Sequence, residues 1–205
     1  MTRALQFFLS SLDTPEAQDA AREAVVREAL AIRALPPGPE RAREVHRRVD
    51  AAIREFATIR PQAVNAIRCH RGCAHCCRIW VGITQDEALL LADGVRSGSA
   101  KPALDRLECQ RHWQSPEAFA NHPLEETRCV FLGEDGSCGV YEDRPSACRA
   151  LLVASDPEFC RTAEQASQVL AIINPRAELL VSAAQSADDP GCNLLAARLW
   201  EALGG

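Results

Sequence analysis

No stretch of the 205-residue chain approaches the roughly 20 consecutive apolar residues that a membrane-spanning helix requires. Nor is there an excess of positive charge. The net charge is −5 and the isoelectric point near 5.6, so the chain has no general attraction to nucleic acid or to an anionic membrane surface. Internal repeats and low-complexity tracts are absent, as is any glycine-rich strand–turn–helix that would cradle a nucleotide or S-adenosylmethionine. The leading segment, residues 1–12, has one arginine and a short apolar run, Leu5 to Leu9, broken by Gln6. Without a small-residue cleavage site it makes a poor signal peptide, and the chain reads as cytoplasmic. Hydrophobic residues make up 47% and charged residues 25%, an ordinary globular balance that excludes wholesale disorder. A chain of this length can bury a core of its own without cross-links.

What is present in quantity is cysteine. Of ten, four lie within nine positions, Cys69, Cys73, Cys76 and Cys77, and four more follow at Cys129, Cys138, Cys148 and Cys160. The first sixty residues have none and read as scaffold or as a partner-binding arm. In a reducing compartment grouped cysteines are more often ligands or redox centres than structural bridges. Thiolates are soft donors that suit zinc, iron or an iron–sulfur cluster. Cys73-x2-Cys76 can supply one pair of ligands and the distant pair Cys129/Cys138 can close a tetrahedral site. Adjacent side chains tend to point apart, so the vicinal Cys76-Cys77 fits less simply. The surplus of thiols suggests two metals sharing ligands, or one cluster beside a structural ion.

Other residues are candidates for the surroundings. Arg68, Arg71 and Arg78 flank the first block, and Arg144 and Arg149 flank Cys148. Their guanidinium groups could donate to sulfur and offset the negative charge of a thiolate site, or form a solvated stripe. His70 and His75 could ligate, shuttle protons or stand behind the ligands. Cys109 and Cys192 stand apart and read as small, partly buried residues. Trp80 either shields the site from water or belongs to the core. His46, His112 and His122 are isolated and receive no role.

The periodicity predicts helices over 14–35, stopped by Pro36-Pro37-Gly38-Pro39, and over 40–59, with Val45, Val49, Ala52, Ile53 and Phe56 on one face and arginines on the other. A short helix over 62–67 leads to the cysteine block. Thr84-x2-Glu87 fits a capping box for a helix over 88–95. This would hold the cysteine loop at a helix N-terminus, where partial positive charge favours thiolates. Helix is expected again over 103–113, a β-hairpin with a cysteine on each arm turning at Asp135-Gly136, mostly helix over 156–187 with a break at Pro175, and a last helix over 193–203. The fold class is mainly α, an irregular helical domain around a cysteine-rich metal centre with one small β-hairpin. Residues 1–60 form a helical arm packed on the same domain, and 61–205 the cysteine-cluster domain.

The ordered set Cys69-x3-Cys73-x2-Cys76-Cys77, Thr84-x2-Glu87, Cys129-x-Phe131-Leu132, Cys138-x2-Tyr141, Arg144-Pro145-x2-Cys148-Arg149 and Cys160 resembles the YkgJ-type cysteine-cluster family, the zinc- or iron-chelating CxxCxxCC proteins. The first spacing here is C-x3-C where the family name has C-x2-C. The resemblance implies a protein chelating zinc or iron through eight cysteines. A related cluster in bacterial flagellin lysine methylases implies an iron–sulfur centre, which makes a redox or protein-modifying enzyme one alternative. A zinc-stabilised module binding a protein through the N-terminal helices is another. C-x3-C-x2-C also resembles the radical S-adenosylmethionine enzymes, but no alternation of strands and helices follows it, and His75 stands where an aromatic residue is usual. The balance of these readings leans away from an enzyme.

Overall fold

The computed structural model describes residues 10, 14–70, 72–113, 115–161, 165–188 and 192–205, so the expectation for residues 1–12 falls largely outside the described residues. Helix α1, Pro15–Arg33, starts where Thr14 accepts the Ala17 N–H at 3.2 Å, with proline at the first helical position, where no N–H is needed. The proline-rich break ends at Gly38, whose φ of +124° is open to glycine without a Cβ penalty. Helix α2, Pro39–Ile59, follows, burying Ala42, Val45, His46, Val49 and Ala52. Its arginines are largely neutralised close by. Arg43 pairs with Glu40, Arg47 and Arg48 pair with Glu44, and Arg48 also reaches Glu28 of α1.

Helix α3, Pro61–Asn65, leads to the cysteine block, whose last turn is a 3-10 helix, His75–Arg78. Then come strand β1, Gly82–Ile83, and helices α4, Gln85–Ser97, α5, Leu104–Gln110, α6, Pro116–Ala120, and α7, Ser146–Ala150. Two further 3-10 turns, Pro157–Cys160 and Ala166–Gln168, precede α8, Pro175–Ala187, strand β2, Asn193–Leu194, and α9, Leu195–Leu203. The mainly α reading holds.

The sheet, however, is not where the sequence placed it. β1 pairs antiparallel with β2, Gly82 opposite Leu194 and Ile83 opposite Asn193. The expected hairpin over 129–141 does turn at Asp135-Gly136, but only one bridge, Leu132 to Cys138, joins its arms. A ladder cannot extend because Arg106 of α5 takes the carbonyls of Cys129 and Leu132 at 2.7 and 2.8 Å, while the Leu132 N–H turns back to Cys129. The mostly helical expectation for 156–187 also fails before Pro175. Ala154 and Ile172 N–H groups donate to Leu170 and Leu152 at 2.8 Å, so this backbone is used in pairing rather than in a helix. Pro175 does not break a helix but begins one, capped by Asn174.

Two apolar clusters result. One joins Ile83, Leu91, Leu107, Phe119, Phe131 and Leu199, from β1, α4, α5, α6, α9 and the 129–141 loop. The other joins Val25, Ile32, Val49, Ala150, Leu180 and Val181, from α1, α2, α7 and α8. Asn174 ties α8 to α2 through the Ala52 carbonyl at 3.0 Å.

Between the clusters lies a polar seam centred on Glu87, 3% exposed. Its Oε2 closes the capping box by accepting the Thr84 N–H at 3.0 Å. Its Oε1 accepts the Ser146 N–H at the start of α7 at 2.7 Å and lies 3.2 Å from His46 Nε2 of α2. One carboxylate thus joins three helices. Burial pushes its carboxyl up, but His46, Ser146 and Thr84 outweigh burial and hold it below its ordinary 4.5. The unfolded chain therefore takes up this proton at higher pH than the folded chain, so Glu87 contributes stability above about pH 4.5 that is lost as pH falls through the lower folded value. Glu87→Gln should cost about 1–3 kcal/mol at pH 7 and flatten the acid limb of stability below pH 4.5. Urea unfolding across that range checks both, and an unchanged acid limb would contradict the assignment.

Candidate metal centre

Each grouped cysteine is placed by a short element rather than by a long helix. Cys69 lies in an extended segment held against Val153. The Arg68 N–H donates to the Val153 carbonyl at 2.9 Å, and the Val153 N–H returns to Cys69 Sγ at 3.3 Å. Cys73 closes a turn through its N–H to His70. Cys76 and Cys77 occupy the 3-10 turn His75–Arg78. The Cys129 N–H donates to the Cys77 carbonyl at 2.7 Å, which docks the 129–141 loop directly on the block. Cys148 sits mid-turn in α7, whose first N–H groups include the one Glu87 holds. Cys160 ends the turn Pro157–Cys160, which packs against His75–Arg78, with His75 Nε2 3.9 Å from Glu158.

All ten cysteines are free thiols, and the eight grouped ones are half-buried. For five of the eight, burial is the largest influence, and it acts upward. It raises Cys129 and Cys160 to about 11 and lifts Cys69, Cys138 and Cys148 as well. Cys76 is raised first by its hydrogen bond with Cys77, then by burial. Neighbouring sulfurs add to the effect. Charge on Cys76 opposes ionisation of Cys69, Cys129, Cys138, Cys148 and Cys160. The guanidinium groups of Arg106 and Arg144 act the other way on Cys129 and Cys138.

The thiols are thus not activated by a helix N-terminus as the sequence suggested. The first N–H groups of α4 are taken by carboxylates, Thr84 by Glu87 and Gln85 by Asp188 at 3.0 Å. The extended stretch through β1 separates them from the block. Among the described residues, no three or more His, Cys, Asp or Glu side chains are arranged to hold a metal ion. What the fold supplies is a gathering of soft donors in short turns rather than a finished coordination sphere.

The surroundings also differ from expectation. Arg149 is buried in an ion pair with Asp50 at 2.7 Å and donates to the carbonyls of Arg144 and Glu142. Arg78 binds the Leu124 carbonyl and Glu125. Arg144 stacks over Tyr141, 4.1 Å from its centroid, and reaches the Tyr141 carbonyl. None of these bonds is to sulfur. Arg68 is exposed, and Arg71 lies outside the described residues. His70 is exposed, with Nδ1 3.0 Å from the Arg68 carbonyl. Cys109 and Cys192, expected to be partly buried, are both exposed. Trp80 packs edge-on against Phe119 with the first cluster.

Two supports escaped the sequence reading. His46, given no role there, faces Glu87, and a lone polar residue on the apolar stripe of α2 was the signal. Arg106, which fixes the 129–141 loop from α5, left no local signal, because its partners are backbone carbonyls more than twenty residues away.

Residues 68–173 match the family model CxxCxxCC, described as a putative zinc- or iron-chelating domain. No curated protein and no solved structure matches the chain. The match spans just over half of the sequence and includes all eight grouped cysteines, and the chain belongs to the CxxCxxCC family.

Proposed function

We propose that the protein is a cytoplasmic metal-binding protein that holds zinc or iron through Cys69, Cys73, Cys76, Cys77, Cys129, Cys138, Cys148 and Cys160. The observation that carries this reading is that all eight grouped cysteines fall within the stretch matching a zinc- or iron-chelating family and stand half-buried with no disulfide among them. Gathered sulfurs that are screened from water and repel one another as thiolates are costly to ionise. A divalent cation reverses that balance, because it displaces the protons and neutralises the charge of the same sulfurs. The donor set therefore fits a thiophilic ion. Arg106 and Arg144 add positive charge beside Cys129 and Cys138, as a sulfur-rich site with net negative charge requires. Among the described residues no helix is long and apolar enough to cross a membrane.

The metal would tie the extended 68–69 segment, the His75–Arg78 turn, the 129–141 loop, α7 and the Pro157–Cys160 turn together. Removing it should loosen these elements before the packed helices. The same donors admit an iron–sulfur cluster, and with it the redox or protein-modifying reading, so composition must decide between them.

Protein purified anaerobically without added metal should carry at least about one zinc or iron per chain. Zinc without sulfide or colour identifies a zinc protein, and iron with equal acid-labile sulfide and absorbance near 400 nm a cluster protein. Less than one metal per chain, with none taken up on reconstitution, would overturn the proposal. Binding should also strengthen as pH rises toward 9 and release protons, as calorimetry in buffers of different ionisation enthalpy would show. For chelator-stripped protein the sign reverses. Cys129 and Cys160 ionise near 11 when folded against an ordinary 9.0, so stability present below pH 9 should be lost as pH rises to about 11.

A further inference from the structure

Residues 68–69, 152–154 and 170–172 lie side by side. At the antiparallel bridge between Val153 and Ala171, the Ala154 N–H donates to the Leu170 carbonyl and the Ile172 N–H to the Leu152 carbonyl, both at 2.8 Å. In that pattern the N–H and C=O of the two bridging residues turn away from each other. Val153 uses its outward pair on the 68–69 segment. Its carbonyl accepts the Arg68 N–H at 2.9 Å, and its N–H reaches Cys69 Sγ at 3.3 Å. Ala171 stands in the same relation on the other side, where nothing answers it. Neither its N–H nor its C=O has a hydrogen-bond partner among the described residues. Ala171 is exposed, and Leu170 is 64% exposed. The three segments therefore form a sheet fragment with one edge closed by Arg68 and Cys69 and the other edge open.

Open edges commonly carry charge or proline, which hinder pairing with another strand. The run Val169-Leu170-Ala171-Ile172-Ile173 has neither, and residues 165–175 hold no charged side chain in a chain that is 25% charged. Two properties select the occupant. A two-fold contact sets a stretch of chain against the same stretch of its copy, so a charge within it would meet its own sign. A charge-free run meets that condition and gives no electrostatic preference for an acidic or a basic partner. The edge is also self-complementary, because one residue presents both a donor and an acceptor.

We propose that the open edge at 170–172 pairs antiparallel with the same edge of a second copy of this chain, with the two-fold axis at Ala171. The Ala171 N–H of each copy donates to the Ala171 carbonyl of the other, and Leu170 lies opposite Ile172 of the second copy, which covers its exposed side chain. One sheet of six segments results, with the Arg68–Cys69 segment of each copy at its outer ends. The pairing does not depend on the metal-binding reading. So few paired residues bury less than the roughly 1,200 Å² at which stable interfaces begin, so the dimer forms and dissociates with concentration.

Sedimentation velocity of the full chain as purified, over a concentration series, tests this. Reducing conditions keep the exposed Cys109 and Cys192 from cross-linking copies. A monomer–dimer equilibrium is expected, with amide exchange at Ala171 slowing as the dimer fills. Ala171→Pro removes the donor at an edge position that tolerates proline and should weaken dimerisation about tenfold. Ala171→Glu and Ala171→Arg set like charges across the axis and should each leave a monomer, whereas their equimolar mixture should restore a dimer. Because the position is exposed, circular dichroism and metal content of each variant should match the parent. A monomer at every concentration, a dimer that all three variants leave unchanged, or a mixture that stays monomeric would overturn the proposal. Slow exchange at Ala171 in such a monomer would show that another part of the same chain covers the edge.

Discussion

Burying the carboxylate of Glu87 would be strongly unfavourable if its oxygens were left without donors, and the way they are satisfied determines where the cysteine-bearing elements can lie. One oxygen stays with its own helix through Thr84, and the other reaches out to α7 and α2. The two apolar clusters meet at this point. The loop carrying Cys129 and Cys138 packs with the first, and α7, carrying Cys148, packs with the second. Position of the thiols is therefore a consequence of how two cores are joined, not of the local cysteine spacing alone. Asp50 with Arg149, and Asp86 with Arg41 and the Gly38 N–H, reinforce the same seam from α2.

The thiols bring the opposite balance. Their burial is tolerated in the protonated form and is unfavourable in the ionised one, so the polypeptide alone resists the state in which sulfur binds metal best. A bound cation would make that state favourable and would link metal affinity to folding of the turns that carry the cysteines. Arg106 contributes twice. It holds the 129–141 loop by its carbonyls and places positive charge near Cys129. Such coupling of backbone clamp and electrostatic partner is economical in a region with little regular secondary structure.

Features written in local sequence were legible. Thr14, the prolines at 36, 37 and 39, and the Thr84-x2-Glu87 box marked helix ends to within a few residues, and the grouped cysteines marked the candidate centre. Features that depend on distant partners were not. Nothing near Gly82 and Ile83 announces Asn193 and Leu194 as their strand partners, and nothing near Asp135-Gly136 reveals that Arg106 consumes the carbonyls a longer hairpin would need. At residues 170–172, where helix is expected, pairing with residues 152–154 prevails, since a backbone N–H can serve only one partner well. The capping box marked Glu87, but its service to α7 and His46 emerges only when three helices are assembled.

X-ray absorption at the metal edge of the anaerobically loaded protein tests most directly the claim that buried thiols converge on a metal. The account predicts a first shell of about four sulfurs near 2.3 Å if the metal is zinc, with no light-atom ligand. A shell dominated by nitrogen or oxygen would contradict it.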